Sequence, residues 1–168
     1  MFDFGIEGYH PLWLNGPGLV ARTHGPRLHA LRGRPLTRVW MVWDLVDDEW
    51  FPDCPVLLDF DGVQVEINHQ KFDDLSLTWN TINPSRPVTW TGFDLEWRPD
   101  VLPDLQTIRG MTLQGAELLE WKVDNIAGST TDVSFVFADA RLTVFNALDE
   151  NGLTFAPPGP DQRVRPCP

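Results

Sequence analysis

Cysteine, lysine and long apolar runs are all scarce in this chain, and each scarcity removes a class of protein. Two cysteines in 168 residues, Cys54 and Cys167, cannot form a disulfide framework, so reduced thiols are expected and the fold must rest on its core. The apolar runs are only a few residues long, far short of the ~18 that a membrane-spanning helix requires. The start, Met1-Phe2-Asp3-Phe4, lacks the basic and apolar stretches of a signal peptide, so the expectation is a cytoplasmic protein with no membrane partner. Basic residues are outnumbered: 13 Lys and Arg against 24 Asp and Glu leave a formal net charge of -11. Few cations remain to release counterions from a phosphate backbone, which argues against nucleic acid as a partner.

Recognisable catalytic signatures are missing as well. His10, His24, His29, His69 and the two cysteines show no C-x-x-C, H-E-x-x-H or facial-triad spacing, so no metal site is expected. There is no G-x-S-x-G, no phosphate-cradling glycine loop after a strand and no dinucleotide fingerprint. No catalytic residue and no cofactor are therefore assigned, and an enzyme is disfavoured.

What the chain does have is an internal repeat. Residues 26–70 match residues 103–147 at a constant offset of 77, pairing Pro26 with Pro103, Leu28 with Leu105, Arg32 with Arg109, Gly33 with Gly110, Leu36 with Leu113, Val46-Asp47 with Val123-Asp124, Val56 with Val133 and Phe60 with Phe137. A one-residue slip at Lys71 changes the offset to 76, after which Leu77-Thr78-Trp79 faces Leu153-Thr154-Phe155. Units of about fifty residues bury little alone, so the two should pack face to face as one domain. The predicted fold is mainly β, with two tandem repeats related by a pseudo-two-fold. Each is a short helix plus about four bent antiparallel strands, similar in order to the SH3-like and Sm-like small barrels but without the basic RNA-contacting residues of the latter.

The predicted organisation is an N-terminal arm (1–25), repeat 1 (26–79), a linker (80–102), repeat 2 (103–155) and a Pro-rich tail (156–168) that is extended or mobile. Pro26 and Pro103 suit a first helical turn, and Gly33 and Gly110 a left-handed C-cap. Asp61-Gly62 between Val56–Phe60 and Val63–Asn68 is a strong hairpin signal. Phe93, Leu95 and Trp97 alternate as one extra strand crossing between halves, and Asn151-Gly152 reads as a turn dipeptide. Val56, Phe60, Val65, Ile67, Leu77, Val133, Phe137, Leu142, Val144 and Leu153 form the expected shared core.

Two groups of residues are candidates for function. From Arg38 to Lys71 the intervening chain has no Lys or Arg, while Trp43, Asp44, Asp47, Asp48, Glu49, Trp50 and Asp53 gather acid and aromatic character in one window suited to docking a basic partner. The other group is polar: Asn68, His69, Lys71, Asp73 and Asp74, with Asp149 and Glu150 at the equivalent turn of the second copy. Paired carboxylates beside a histidine can do acid–base work if they converge in a pocket, although an acidic turn duplicated with its scaffold also reads as structural.

The run Phe145-Asn146-Ala147-Leu148-Asp149-Glu150-Asn151-Gly152-Leu153, with the hairpin Leu57–His69 and Trp43-Asp44, resembles uncharacterised small proteins of actinobacteria. Eleven arginines against two lysines, with 15 prolines, point to the same kind of high-GC source. That resemblance implies compactness and no particular activity. The leading expectation is an acidic protein-binding module of immunity or accessory type that binds a basic partner. The alternatives are a small enzyme or ligand-binding protein using His69, Lys71, Asp73 and Asp74, and a structural homo-oligomer, the simplest being a homodimer.

Overall fold

The computed structural model describes residues 3–121 and 130–167; the expected pairing of Val46-Asp47 with Val123-Asp124 lies outside them. The first half comprises β1 (Leu14–Asn15), α1 (Pro17–His29), β2 (Arg38–Asp44), β3 (Glu49–Trp50), β4 (Val56–Phe60), β5 (Val63–Gln70), β6 (Asp74–Trp79) and β7 (Leu95–Pro99). The second comprises α2 (Pro103–Ile108), β8 (Gly115–Trp121), β9 (Thr131–Val136), β10 (Arg141–Asn146), β11 (Asn151–Thr154) and β12 (Gln162–Pro166). The protein is mainly β, with two antiparallel sheets and two short helices.

The duplication read from the sequence is the duplication of the fold. In sheet order, β6-β5-β4-β2 of the first half matches β11-β10-β9-β8 of the second. Val56 pairs with Ile67 and Val133 with Val144; Ile67 pairs with Leu77 and Val144 with Leu153. Both copies then add a strand on the far side of β2 or β8. Pro99 lies opposite Trp40, and Pro166 opposite Glu117, the same position 77 residues on.

A pseudo-two-fold axis relates the halves and passes near the bridge between Pro35 and Thr112. Around it the backbone bonds come in reciprocal pairs. Gly33 N–H donates to Leu113 O at 2.9 Å while Gly110 N–H donates to Leu36 O at 2.7 Å, and Leu36 N–H donates to Met111 O while Leu113 N–H donates to Arg34 O, both at 2.9 Å. Gly33 and Gly110 have φ of 82° and 84°, which lets the chain turn into this pairing at both sites; Gly110 directly follows the C-cap of α2 as expected, whereas Gly33 lies three residues beyond the α1 C-cap, Ala30, and does not cap that helix.

The inner faces of the two sheets meet in one core. Val39, Met41, Leu58, Phe60, Val65 and Ile67 from one side pack with Leu118, Val133, Phe135, Leu142 and Val144 from the other, and Phe60 lies 5.4 Å from Phe135 between ring centroids. All the expected core residues are buried except Leu153, which is half-buried against the cluster. A second cluster covers the outer face of the first sheet. Phe4, Ile6 and Tyr9 of the N-terminal arm, with Ile82 and Val88, lie over Val42, Leu57 and Trp97.

Several expectations are corrected. Neither sheet closes into a small barrel, because the strands at the two ends of each sheet are not paired with one another. The first helix is Pro17–His29, not a short turn from Pro26: Pro17 is the proline of the first turn, and Pro26 sits near the end, where its missing N–H removes only the bond to Arg22. The first sheet has seven strands and the second five, against about four expected in each half. β7 stays with its own half, and the tail contributes β12 and the buried Cys167, whose N–H donates to Ala116 O just as Asp100 N–H does to Val39 O. The edge position of β12 explains its polar Arg-Val-Arg pattern. Asn151 and Gly152 lie inside β11; the turn falls instead at Leu148 and Asp149, with φ of 64° and 79°. The Asp61-Gly62 hairpin has positive φ at both residues, as a type I′ turn requires. Among the described residues no helix is long and apolar enough to cross a membrane.

Truncating Phe60 or Phe137 to Ala should cost ~3–5 kcal/mol in urea unfolding, and a loss below about 1 kcal/mol at both would exclude a shared core. A methyl group at position 33 or 110 would meet no neighbouring atom within 4 Å, so the cost of Gly→Ala there is conformational. It should be similar at the two sites, about 1–2 kcal/mol, and larger for Val; unequal costs would break the proposed equivalence.

Candidate functional site

The acidic window divides when folded. Trp43 and Trp50 pair across the β2–β3 hairpin. Asp44 is buried, and its carboxylate caps the turn by accepting the N–H of Val46 at 2.9 Å and of Asp47 at 3.3 Å. Trp50 packs against the main core. Asp47, Asp48 and Glu49 remain exposed at the tip beside Leu45 and Val46. There the Trp43 indole N–H donates to Asp48 at 2.9 Å, and Arg98 lies over the Trp43 ring. Asp53 is carried elsewhere.

The polar group also divides, because β5 ends at Gln70 and Lys71 lies in the turn beyond it, with φ of 54°. His69 is buried at the junction of β5 with the second half. Its ring nitrogens face two carbonyl oxygens, Asn151 Oδ1 and Thr131 O, each at 3.1 Å. Asn151 is held in this orientation by its own amide, which donates to Asn68 Oδ1 at 2.7 Å and to the carbonyls of Cys54 and Pro52, while Oδ1 accepts the His69 backbone N–H. A neutral imidazole can donate to only one of the two oxygens. Burial nevertheless outweighs the help both would give a cation, and lowers the His69 pKa to about 4.

Lys71 joins the two equivalent turns instead. Its backbone N–H donates to the Asp149 carboxylate, its carbonyl accepts the Asp149 N–H at 3.1 Å, and its ammonium lies 3.4 Å from Asp74. Asp74 also accepts from Asn15 at 2.6 Å, and Asp73 offers Asn15 only its backbone carbonyl. The duplicated acidic turns are thus largely connectors.

The folding of these turns creates something neither window contains alone. Asp53 from the acidic window and Asp149 from the second copy line one cleft of about 220 Å³, with Phe4, His69, Gln70 and Trp90. Burial raises the Asp53 pKa, with Asp149 adding to it. The Glu150 pKa is raised by the same effect, then by the charges of Asp53 and Asp149. No ion pair among the described residues involves Asp53, Asp149 or Glu150. Among the described residues no group of three His, Cys, Asp or Glu is close enough to hold a metal ion.

A second cleft, of about 250 Å³, opens on the outer face of the second sheet between Leu119, Trp121, Phe145 and Pro157, with Asp132 and Gln162 among its polar groups. Phe145 lies across Gly152, where any Cβ would come within 2.3 Å of the ring, which explains a glycine inside β11. Asp132 is 2% exposed, and burial pushes its pKa up to about 7, against the Asn146 N–H. The sequence gives no sign of Asp132, because its counterpart 77 residues earlier is Pro55.

No family model, curated protein or solved structure matches the chain.

His69 and Asp132 make opposite demands on pH. The unfolded state takes up a proton at His69 below 6.5 that the folded state refuses until about 4, so this group's contribution to stability is lost as pH falls through that range. Asp132 keeps its proton up to about 7 when folded but only to 3.8 when unfolded, so its contribution is lost as pH rises. Between pH 4 and 6.5 the two slopes nearly cancel in the parent protein. Relative to the parent, Asp132→Asn should gain stability with rising pH and His69→Gln with falling pH, each at up to ~1.4 kcal/mol per pH unit. Urea midpoints across this range check the signs; slopes of the same sign in both variants would refute the assignment.

Proposed function

We propose that this chain is an acidic protein-binding module, of accessory or immunity type, that captures a basic partner through the aromatic-walled cleft at the junction of its halves. The observation that carries the reading is the convergence in the cleft of Asp53 and Asp149 beside Phe4 and Trp90, with Glu150 near enough to feel both charges and no ion pair to any of the three among the described residues. Like charges raise one another's pKa, and an arriving ammonium or guanidinium relieves the repulsion. Aromatic walls favour the same guest, since a cation is attracted to a ring face. The exposed tip at Asp47, Asp48 and Glu49 adds long-range attraction. Phe51, two residues beyond Glu49, lies 4.8 Å from Phe93 and 5.1 Å from Trp90 of the cleft wall between ring centroids. Acid–base catalysis by His69 has less support, because the ring is enclosed and both nitrogens are turned to carbonyl oxygens.

Titration with a hexa-arginine peptide tests this, with a hexa-glutamate peptide as control. Neutralising Asp53, Asp149 and Glu150 together should weaken hexa-arginine binding about tenfold or more, a loss of ~1.4 kcal/mol. Neutralising Asp47, Asp48 and Glu49 should leave stability nearly unchanged but slow association, and added salt should do the same because the Debye length is only about 8 Å at physiological ionic strength. Absence of hexa-arginine binding, or binding indifferent to both sets of substitutions and to salt, would overturn the reading.

A further inference from the structure

The two halves share a scaffold, so the outer face of one sheet shows what the other has left undone. On the first sheet this face is closed by the chain itself. The buried acid there, Glu66, is saturated: it accepts from Thr78 Oγ1 at 2.9 Å, from the Thr81 N–H at 3.1 Å, from Gln64 Nε2 at 3.2 Å and from the Thr81 hydroxyl. Thr81 belongs to the segment that follows β6, and the arm and the residues after it complete the cover.

On the second sheet the positions of Glu66 and Asn68 are taken by Thr143 and Phe145, and the buried acid has moved to Asp132. Asp132 accepts from Gln162 Nε2 at 3.2 Å and from Asn146 N–H at 3.4 Å, and makes no ion pair among the described residues. Of the charged side chains on the strands around it, Arg141 is paired with Glu117 at 2.6 Å and Arg163 with Glu120 at 3.2 Å, while Arg165 makes no ion pair among the described residues. Among the described residues no arm lies over this face. The cleft in front of the carboxyl is walled by Leu119, Trp121 and Phe145, with Trp121 39% exposed.

We propose that this cleft is a binding site for a small organic cation, a flat apolar body bearing a protonated amine or amidinium that pairs with Asp132 between Trp121 and Phe145. A buried carboxylate held by only two long hydrogen bonds, at 3.2 and 3.4 Å, and by no cation gains most from a guest that brings both N–H groups and positive charge. The aromatic walls and the acidic net charge of the chain favour the same guest. An unliganded Asp132 that holds its proton to about 7 must release it when the cation binds, so binding strengthens with rising pH. This site is distinct from the junction cleft and stands whether or not the latter binds a partner.

Benzamidinium and its neutral isostere benzamide are the probes, titrated calorimetrically into the full chain with the Trp121 indole N–H followed by NMR. At pH 8 benzamidinium should bind at least about tenfold more tightly than benzamide and shift the Trp121 signal; below pH 7 its binding should release a proton, and its advantage should shrink toward unity near pH 5.5. Asp132→Asn should abolish the preference and its pH dependence. Gln162→Lys places an ammonium from the chain beside Asp132, and should block benzamidinium even if Asp132→Asn folds poorly. Equal affinity for the two probes, no binding of benzamidinium at millimolar concentration, or a preference that survives both substitutions would each overturn the assignment.

Discussion

The four backbone hydrogen bonds around Pro35 and Thr112 hold the halves in the one relation that covers both inner faces at once. Each sheet presents an apolar face too large to leave in water, and neither half is large enough to fold a second layer of its own over it. The reciprocal pairing sets where β2 and β8 enter their sheets, and the rest of each sheet follows by neighbour-to-neighbour hairpins. The symmetry is approximate inside the core: Phe60 meets Phe135, whereas its own counterpart is Phe137. Side chains fill the shared space unequally while the backbone keeps the axis.

The junction of β5 with β11 is where the equality of the halves ends. Asn151 occupies the position matching Leu75, turning an apolar contact into a polar cross-link to Pro52, Cys54, Asn68 and His69. Every polar atom of the Asn151 side chain is used in tying the halves together. It also fixes the segment 52–54, and through it Asp53, against the turn that carries Asp149. Position and charge at the acidic cleft thus depend on a residue that touches neither ligand nor solvent.

Much of the fold was legible because duplication repeats hydrophobic pattern and glycine position together. Gly33, Gly110 and the Asp61-Gly62 hairpin could be read locally, since each demands a backbone conformation that few residues supply. The first helix was misplaced because Val20, His24 and Leu28 mark one face only faintly among Gly18, Thr23 and Gly25, and the proline at position 26 looked like a beginning. β12 escaped because an edge strand needs only one partner and can carry arginines. The candidate sites were legible as composition but not as geometry. The end of β5 at Gln70 separates His69 from Lys71, no sequence period brings Asp53 to Asp149, and Asn151-Gly152 gave a turn signal although its glycine serves the ring of Phe145.

Two like units related by a two-fold form the arrangement of a homodimer, with a peptide link added. In a true homodimer any substitution appears twice, so a segment laid over one outer face would be laid over both. Joining the units in one chain removes that obligation. One copy can spend its outer surface on being sealed by the arm from Phe4 to Tyr9, while the other keeps the same surface open around Asp132, and neither choice has to be made by its twin.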